Sequence, residues 1–470
     1  MYRIAFFLIA SLLWHVSPAQ KGYDIQVEID GFEAKEAYLA YYLGDKQYIK
    51  DTTAVEDGRF TFKGDEPLEG GIYLVVMPPD NRYFEIIVNT DQHFSLRTDT
   101  ADLVAHMKIK GSEENSVFYD DLIFLAEKRR ESQQLQAQGE AGKAALAALN
   151  EEVKTYRKSF MDRYPDFLYT KILRTMEDPE VPEAPPGADS LFAFHYYRDH
   201  YFDQVDFADD RLLRTPVLYN KVNTYLERLT YRHPDSINLA LDLIISKAEA
   251  NEEVFQFFVV HYLNKYANSK IMGFDGIYVH LVEQYYMSGK AWWADSATVA
   301  KMAERALALS PTLVGRQAPD FRVTDVNGQP QSPHGIAAEY LILYFWDYDC
   351  GHCKKITPAL TEAFLQYADY PVKLMAVSIN GDEATWRERS KEYGLDAPHI
   401  VNCQDHTRRS GFDKMYDIRS TPRILLLDKQ KTILAKQISV DQLEDILNRE
   451  LGIETETDDS TEVVPEQDGK

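Results

Sequence analysis

Residues 343–358 read Leu-Tyr-Phe-Trp-Asp-Tyr-Asp-Cys-Gly-His-Cys-Lys-Lys-Ile-Thr-Pro, and this stretch decides the fold of the C-terminal part of the chain. The apolar run that ends at Trp346 predicts a buried strand, and a helix is predicted from Cys353 onward. Cys350 would then lie at the N-terminus of that helix, where unpaired backbone N–H groups and the helix dipole stabilise a thiolate. The thiolate is the attacking species in thiol–disulfide exchange.

The spacing of the two cysteines predicts a redox-active pair. Cys353 follows Cys350 closely enough to form a disulfide with it and to release a partner from a mixed disulfide. Gly351 permits a tight turn, and His352 adds positive charge beside Cys350 when it is protonated. The chain has only three cysteines, which is typical of a redox centre and not of a disulfide scaffold. The third, Cys403, is predicted to be a buried, inert thiol, with a regulatory or resolving role as the alternative.

The residues around this motif predict an α/β domain over 311–452. Further apolar runs at 372–379 and 424–427 alternate with helical segments, which is typical of a parallel or mixed sheet. Thr421 and Pro422 stand immediately before the last of these strands. We expect a cis bond between them, with Pro422 facing the cysteines and Thr421 offering its backbone to an extended substrate chain.

These motifs together resemble the thioredoxin superfamily, specifically its exported TlpA/ResA-like branch with an AhpC/TSA-type domain. The resemblance implies that Cys350 is the nucleophile, that Cys353 resolves, and that protein thiols and disulfides are the substrates. It also implies that Trp346, Gly351 and His352 tune the site, that no cofactor is needed, and that a membrane electron donor is required for turnover as a reductant. The matching residues are Ala318-Pro319-Asp320-Phe321, Asn327-Gly328, Tyr344-Phe345-Trp346, Cys350-Gly351-His352-Cys353, Pro358 and Thr421-Pro422.

Three positions depart from the family pattern. Many thioredoxins carry a buried acid where this chain has Tyr344, and cytochrome-maturation relatives often carry Glu where it has Ile356. The usual proton acceptor for the second cysteine is therefore absent, and Asp347, Asp349 or water are the candidates to replace it. Asp349, adjacent to the first cysteine, stands where Trp is common, and it is expected to raise the pKa of that thiol and to oppose His352.

The sequence supports both directions of exchange, the reduction and the oxidation of substrates. Protein disulfide isomerase shares the CGHC motif and has a potential of about −180 mV, against about −270 mV for thioredoxin, which favours an oxidant or isomerase. Resemblance to the exported branch favours a reductant.

A peroxidase is an alternative, although Asp347 stands where peroxide reduction requires Thr or Ser. A non-enzymatic alternative is a cell-envelope binding module in which the redox domain is secondary.

The remaining chain predicts two accessory domains. Alternating apolar residues and turn signals over 20–111 predict a β-rich domain, an antiparallel sandwich or a small barrel. Helical spacing over 112–310 predicts an all-α domain of six to nine helices. The chain is thus expected to be multidomain, with a C-terminal thioredoxin-like α/β fold.

Composition and the chain ends predict the location. Residues 1–19 resemble a secretory signal peptide, which implies export to the periplasm or cell envelope and a mature chain that is soluble, without insertion into the membrane. The acidic residues 453–470 predict a disordered tail. A net charge of −24 argues against nucleic acid as a partner. No metal is expected, because the ligands of a structural zinc site are lacking. The oligomeric state is not predicted.

Overall fold

The computed structural model of the protein describes residues 22–379, 382–405 and 409–453. One compact unit contains the described residues up to 230 together with 246–255, and a second contains 231–245 together with the described residues from 256 onward. The predicted signal peptide lies outside the described residues, as does the predicted tail beyond its first residue. Within the described ranges, no helix has both the length and the apolar character needed to cross a bilayer.

The N-terminal region is β-rich, as predicted. Its strands form two four-stranded sheets among the described residues, in the orders β4-β1-β7-β8 and β3-β2-β5-β6. The pairing is mixed, in contrast to the predicted antiparallel sandwich, because β1 and β7 run parallel, with Ile25 opposite Phe94. Parallel neighbours need a long connection, and the intervening β2–β6 provide it. The strands are β1 Tyr23–Asp30, β2 Glu36–Leu43, β3 Lys46–Ala54, β4 Arg59–Gly64, β5 Gly71–Met77, β6 Arg82–Val88, β7 His93–Asp99 and β8 Lys108–Lys110.

The middle region is helical, as predicted. Its first helix is fixed to β6 by Asn115, whose side-chain amide donates to the Ile87 carbonyl (2.7 Å) and accepts from the Ile87 N–H (2.8 Å). Helix α8 continues directly into a π-helical turn at Val282–Met287. The helices are α1 Glu113–Gln136, α2 Lys143–Arg163, α3 Leu168–Met176, α4 Phe192–Asp199, α5 Pro216–Arg228, α6 Pro234–Ala248, α7 Glu252–Ala267, α8 Asp275–Leu281 and α9 Ser296–Leu309.

The C-terminal region contains a mixed sheet of seven strands among the described residues, in the order β10-β9-β13-β12-β11-β14-β15. The interior strand β11 pairs parallel with β12 and antiparallel with β14. Its burial on both faces explains the continuous apolar sequence. The elements are β9 Val323–Asp325, β10 Pro330–Gln331, β11 Tyr340–Trp346, α10 Cys353–Leu365, β12 Val372–Ser378, α11 Glu383–Glu392, β13 Ile400–Gln404, α12 Phe412–Met415, β14 Arg423–Leu427, β15 Ile433–Lys436 and α13 Val440–Leu451.

Side chains of this sheet alternate between two cores. Tyr344 and Trp346 belong to the core that also contains Cys353 of α10. Phe345 belongs to the opposite core, where its ring lies 5.1 Å from that of Phe412. Successive residues of a strand point to opposite faces, so β11 contributes to both cores.

Phe345→Ala is expected to lower the free energy of unfolding of the C-terminal region by about 3–5 kcal/mol, because it leaves a cavity among packed aromatic rings. Urea denaturation measures the change. Leu365→Ala is the matched control, since Leu365 is 46% exposed, and its cost should stay below about 1 kcal/mol. Equal costs for the two variants would show that Phe345 is not a core residue.

Candidate active site

The two cysteines lie where β11 ends and α10 begins. The backbone N–H of Cys350 donates to the carbonyl of Asp347 (3.2 Å), which closes the turn after the strand. Helix α10 begins at Cys353, and His352 is its N-cap residue. Cys350 thus lies just ahead of the helix, and its own carbonyl accepts from the N–H of Lys354 (3.2 Å).

The surroundings of Cys350 stabilise its thiolate. The residue is partly exposed. Burial raises the pKa of this thiol. Hydrogen bonds from the backbone N–H groups of Cys353 and His352, and from the side chains of Thr421 and Cys353, lower the pKa by a larger amount. The pKa of Cys350 therefore lies below the ordinary value. The first N–H groups of a helix have no partner within it, which makes them donors for an anion. The net direction is opposite to the effect expected from Asp349.

Cys353 has the opposite character. It is fully buried in the core between α10 and the sheet. Burial raises the pKa of its thiol to about 11, although hydrogen bonds from the backbone of Asp347 and the side chain of Thr421 lower it in part. A thiolate at this position therefore forms only when other groups stabilise it.

The loop before β14 reaches the cysteines, although it lies 71 residues further along the chain. The thiol of Cys350 donates to the backbone carbonyl of Thr421 (3.3 Å). The Thr421–Pro422 bond is cis, which confirms the sequence prediction. Both residues are partly exposed beside Cys350, so the structure brings together Cys350, Cys353 and the Thr421–Pro422 loop.

The predicted tuning residues differ in their contacts. Trp346 is fully buried, and its ring packs edge-on against that of Tyr393 at 6.0 Å. Gly351 and His352 are exposed. A side-chain carbon at position 351 would meet no atom within 4 Å, so packing does not require glycine there. The roles assigned to these residues stay predictions.

Tyr344 and Thr357 form a buried hydroxyl pair that the sequence did not predict. Their hydroxyl oxygens lie 2.7 Å apart, and both side chains are fully buried. Thr357 lies four residues after Cys353, a spacing that places two residues on one helix face. That spacing is the signal that the sequence offers for Thr357, whereas nothing in the sequence indicates that Tyr344 is its partner.

Cys403 is fully buried in β13, in the core on the other face of the sheet from Cys353. Burial raises the pKa of its thiol well above the usual range. Its position is that of an inert core thiol, and the sheet separates it from Cys353.

Three family models match successive parts of the chain. A domain of unknown function named DUF4369 matches residues 23–118, and another named DUF5106 matches residues 124–308. The AhpC/TSA family matches residues 314–436.

Curated relatives each match about a quarter of the chain. Thiol-disulfide oxidoreductase ResA of Geobacillus kaustophilus is 26% identical over 125 residues, which are 27% of this chain and 68% of the relative. Nucleoredoxin of Xenopus laevis is 28% identical over 121 residues, which are 26% of this chain. The match spans only 29% of the nucleoredoxin.

Solved structures also resemble parts of the chain. A thioredoxin-like protein from Bacteroides caccae shares 19% identity with a TM-score of 0.42, covering 58% of this chain and 98% of that one. A domain of a possible thiol-disulfide isomerase from Cytophaga hutchinsonii shares 31% identity with a TM-score of 0.29, covering 30% of this chain and 96% of that one. From its family match and its sheet, the C-terminal domain of this chain is a thioredoxin-like domain of the AhpC/TSA family.

Proposed function

We propose that this chain is an exported thiol–disulfide oxidoreductase that reduces protein disulfides through the Cys350–Cys353 dithiol. The observation that carries the proposal is the contrast between the two thiols. Cys350 is accessible and has a lowered pKa, whereas Cys353 is buried and has a raised one. One cysteine suited to attack and one suited to resolve are what the reaction requires.

The proposed cycle has two steps. The Cys350 thiolate attacks a substrate disulfide, forms a mixed disulfide and releases one substrate thiolate. Cys353 then loses its proton to water and attacks Cys350, which forms the Cys350–Cys353 disulfide and releases the second substrate thiolate. Two electrons pass from the dithiol to the substrate. The backbone beside Thr421 and Pro422 would hold the substrate chain in an extended conformation.

Cys353→Ala is expected to accumulate mixed disulfides at Cys350, because the second step is lost while the first is retained. The variant is incubated with disulfide-containing envelope extracts, and the adducts are separated on non-reducing gels and identified by mass spectrometry. The double variant Cys350→Ser with Cys353→Ala is the control and should trap nothing. Equal trapping by both variants, or by neither, would contradict the assignment.

The direction of transfer is tested by the reduction potential of the cysteine pair. Equilibration of the full chain with glutathione redox buffers measures it. For a reductant we expect a reduction potential close to that of thioredoxin, about −270 mV. A reduction potential above about −150 mV would exclude reduction as the function.

Export is proposed on the pattern of residues 1–19. Expression of the full chain in a bacterium, followed by N-terminal sequencing of the exported fraction, should give a mature chain that begins at Gln20. A full-length chain confined to the cytoplasm would contradict export. Turnover in that compartment would need an electron-donating membrane partner, since the cycle consumes two electrons.

A further inference from the structure

The buried hydroxyl pair next to the resolving cysteine has no role in the cycle described so far. Tyr344 extends from β11 into the core that contains Cys353. Its hydroxyl lies 2.7 Å from that of Thr357. Tyr344 and Cys353 belong to one buried cluster, and their interaction there helps to raise the pKa of Tyr344. Cys353 and Thr357 lie on one face of α10, so the hydroxyl pair lies in the same part of the core as the resolving cysteine.

The chemistry of this contact is that of a donor. Burial and the negative charge that Cys353 carries as a thiolate raise the pKa of Tyr344 well above its usual range. The phenol therefore keeps its proton at neutral pH and does not act as a base. Its O–H group can donate a hydrogen bond to a thiolate, while the Thr357 hydroxyl donates a hydrogen bond to the phenol oxygen. Successive hydrogen bonds of this kind polarise and strengthen one another.

Asp347 and Asp349, the carboxylates that the sequence offers as proton acceptors for Cys353, differ from Tyr344 in their surroundings. Asp349 is exposed, whereas Cys353 is fully buried. Asp347 acts on Cys353 through its backbone, which lowers the pKa of that thiol. Tyr344 is thus the side chain that stands where an acid is usual and that shares the buried core with the resolving cysteine.

We infer that the Tyr344 hydroxyl, positioned by Thr357, donates the hydrogen bond that stabilises the Cys353 thiolate as it attacks the mixed disulfide. The inference rests on the proposed exchange reaction and adds a catalytic residue to it. In that step the Cys353 proton leaves to water, the Cys353–Cys350 bond forms, and the Cys350–substrate bond breaks. The Tyr344 proton stays on its oxygen throughout.

Ellman's reagent tests this with the full reduced chain, because each thiol released is coloured. Stopped-flow mixing separates a first release, due to Cys350 attack, from a second, due to Cys353. Tyr344→Phe is expected to slow the second release by about 10- to 100-fold, as expected for the loss of a hydrogen bond to a charged group. The pH at which the rate of the second release is half-maximal should rise by about 1–2 units, while the rate of the first release stays unchanged.

The control is Tyr416→Phe, which removes another buried tyrosine hydroxyl. That hydroxyl donates to the Pro319 carbonyl (2.6 Å) in the core on the other face of the sheet. Both releases should keep their rates and pH profiles in this variant. A slower second release in Tyr416→Phe would show that the effect is a general loss of packing and would overturn the inference.

Thr357 provides a second test that is independent of the aromatic ring. Thr357→Val removes the hydroxyl at nearly constant volume and should slow the second release by about threefold or more, whereas Thr357→Ser should restore it. Wild-type rates and pH profiles in both Tyr344→Phe and Thr357→Val would overturn the inference while leaving the exchange reaction intact. Failure of the exchange itself appears differently, as the absence of any first release that depends on Cys350.

Discussion

Cys350→Ser is expected to abolish disulfide exchange, with a fall in rate of more than about a thousandfold. The serine hydroxyl occupies the same place, but it is not ionised at neutral pH and cannot form a disulfide. The backbone N–H groups of His352 and Cys353, which lower the pKa of the cysteine, then have no anion to stabilise. The measurement is the rate at which the reduced chain cleaves the disulfides of a model protein.

Cys403→Ala is the matched control for this variant, because it removes the one cysteine that lies outside the motif. Cys403 lies in the core on the far side of the sheet, so the rate should stay within about twofold of the wild-type value. Exchange that survives in Cys350→Ser, or that is lost in Cys403→Ala, would refute the assignment of the nucleophile.

The two cysteines of the motif should also differ strongly toward an alkylating reagent. Only thiolates react, and the pKa of Cys353 is about 11, against an ordinary value of 9.0 from which that of Cys350 is lowered. At neutral pH this difference alone makes Cys353 about a hundredfold less ionised than an ordinary thiol. Cys350 is therefore expected to react with iodoacetamide more than about a hundred times faster.

Raising the pH toward about 11 should narrow this difference, because the Cys353 thiolate appears only as the pH approaches its raised pKa. The reduced full chain is labelled for short times, and fragment ions of the peptide that contains both residues locate the label. The buried Cys403 serves as an internal control and should stay unlabelled in the folded chain. Equal labelling of the two motif cysteines at neutral pH would contradict the asymmetry of the site.

The sequence predicted much of the C-terminal domain, because the informative patterns lie within short stretches of neighbouring residues. A continuous apolar run identifies β11 because both faces of that strand are buried, and the cysteine spacing identifies the start of α10. The cis bond before Pro422 followed from its place ahead of an apolar strand. The domain boundaries proposed at 111 and 310 stay predictions.

What the sequence did not predict depends on contacts between distant segments. The parallel pairing of β1 with β7 is one example, since alternation reveals a strand but not its partner. The contact between Tyr344 and Thr357 is another, because it joins a strand to a helix face. The net effect on the Cys350 pKa was also beyond local reasoning, since it sums opposing contributions of burial and hydrogen bonds.

The unequal exposure of the two sulfurs has a consequence for kinetics. Only the Cys350 sulfur reaches the surface, and the Thr421 carbonyl lies beside it. In the proposed cycle, the electron donor and the substrate must therefore react with the same atom, one after the other. The chain would alternate between two stable forms, as in a ping-pong enzyme, and donor and substrate would compete for a single opening.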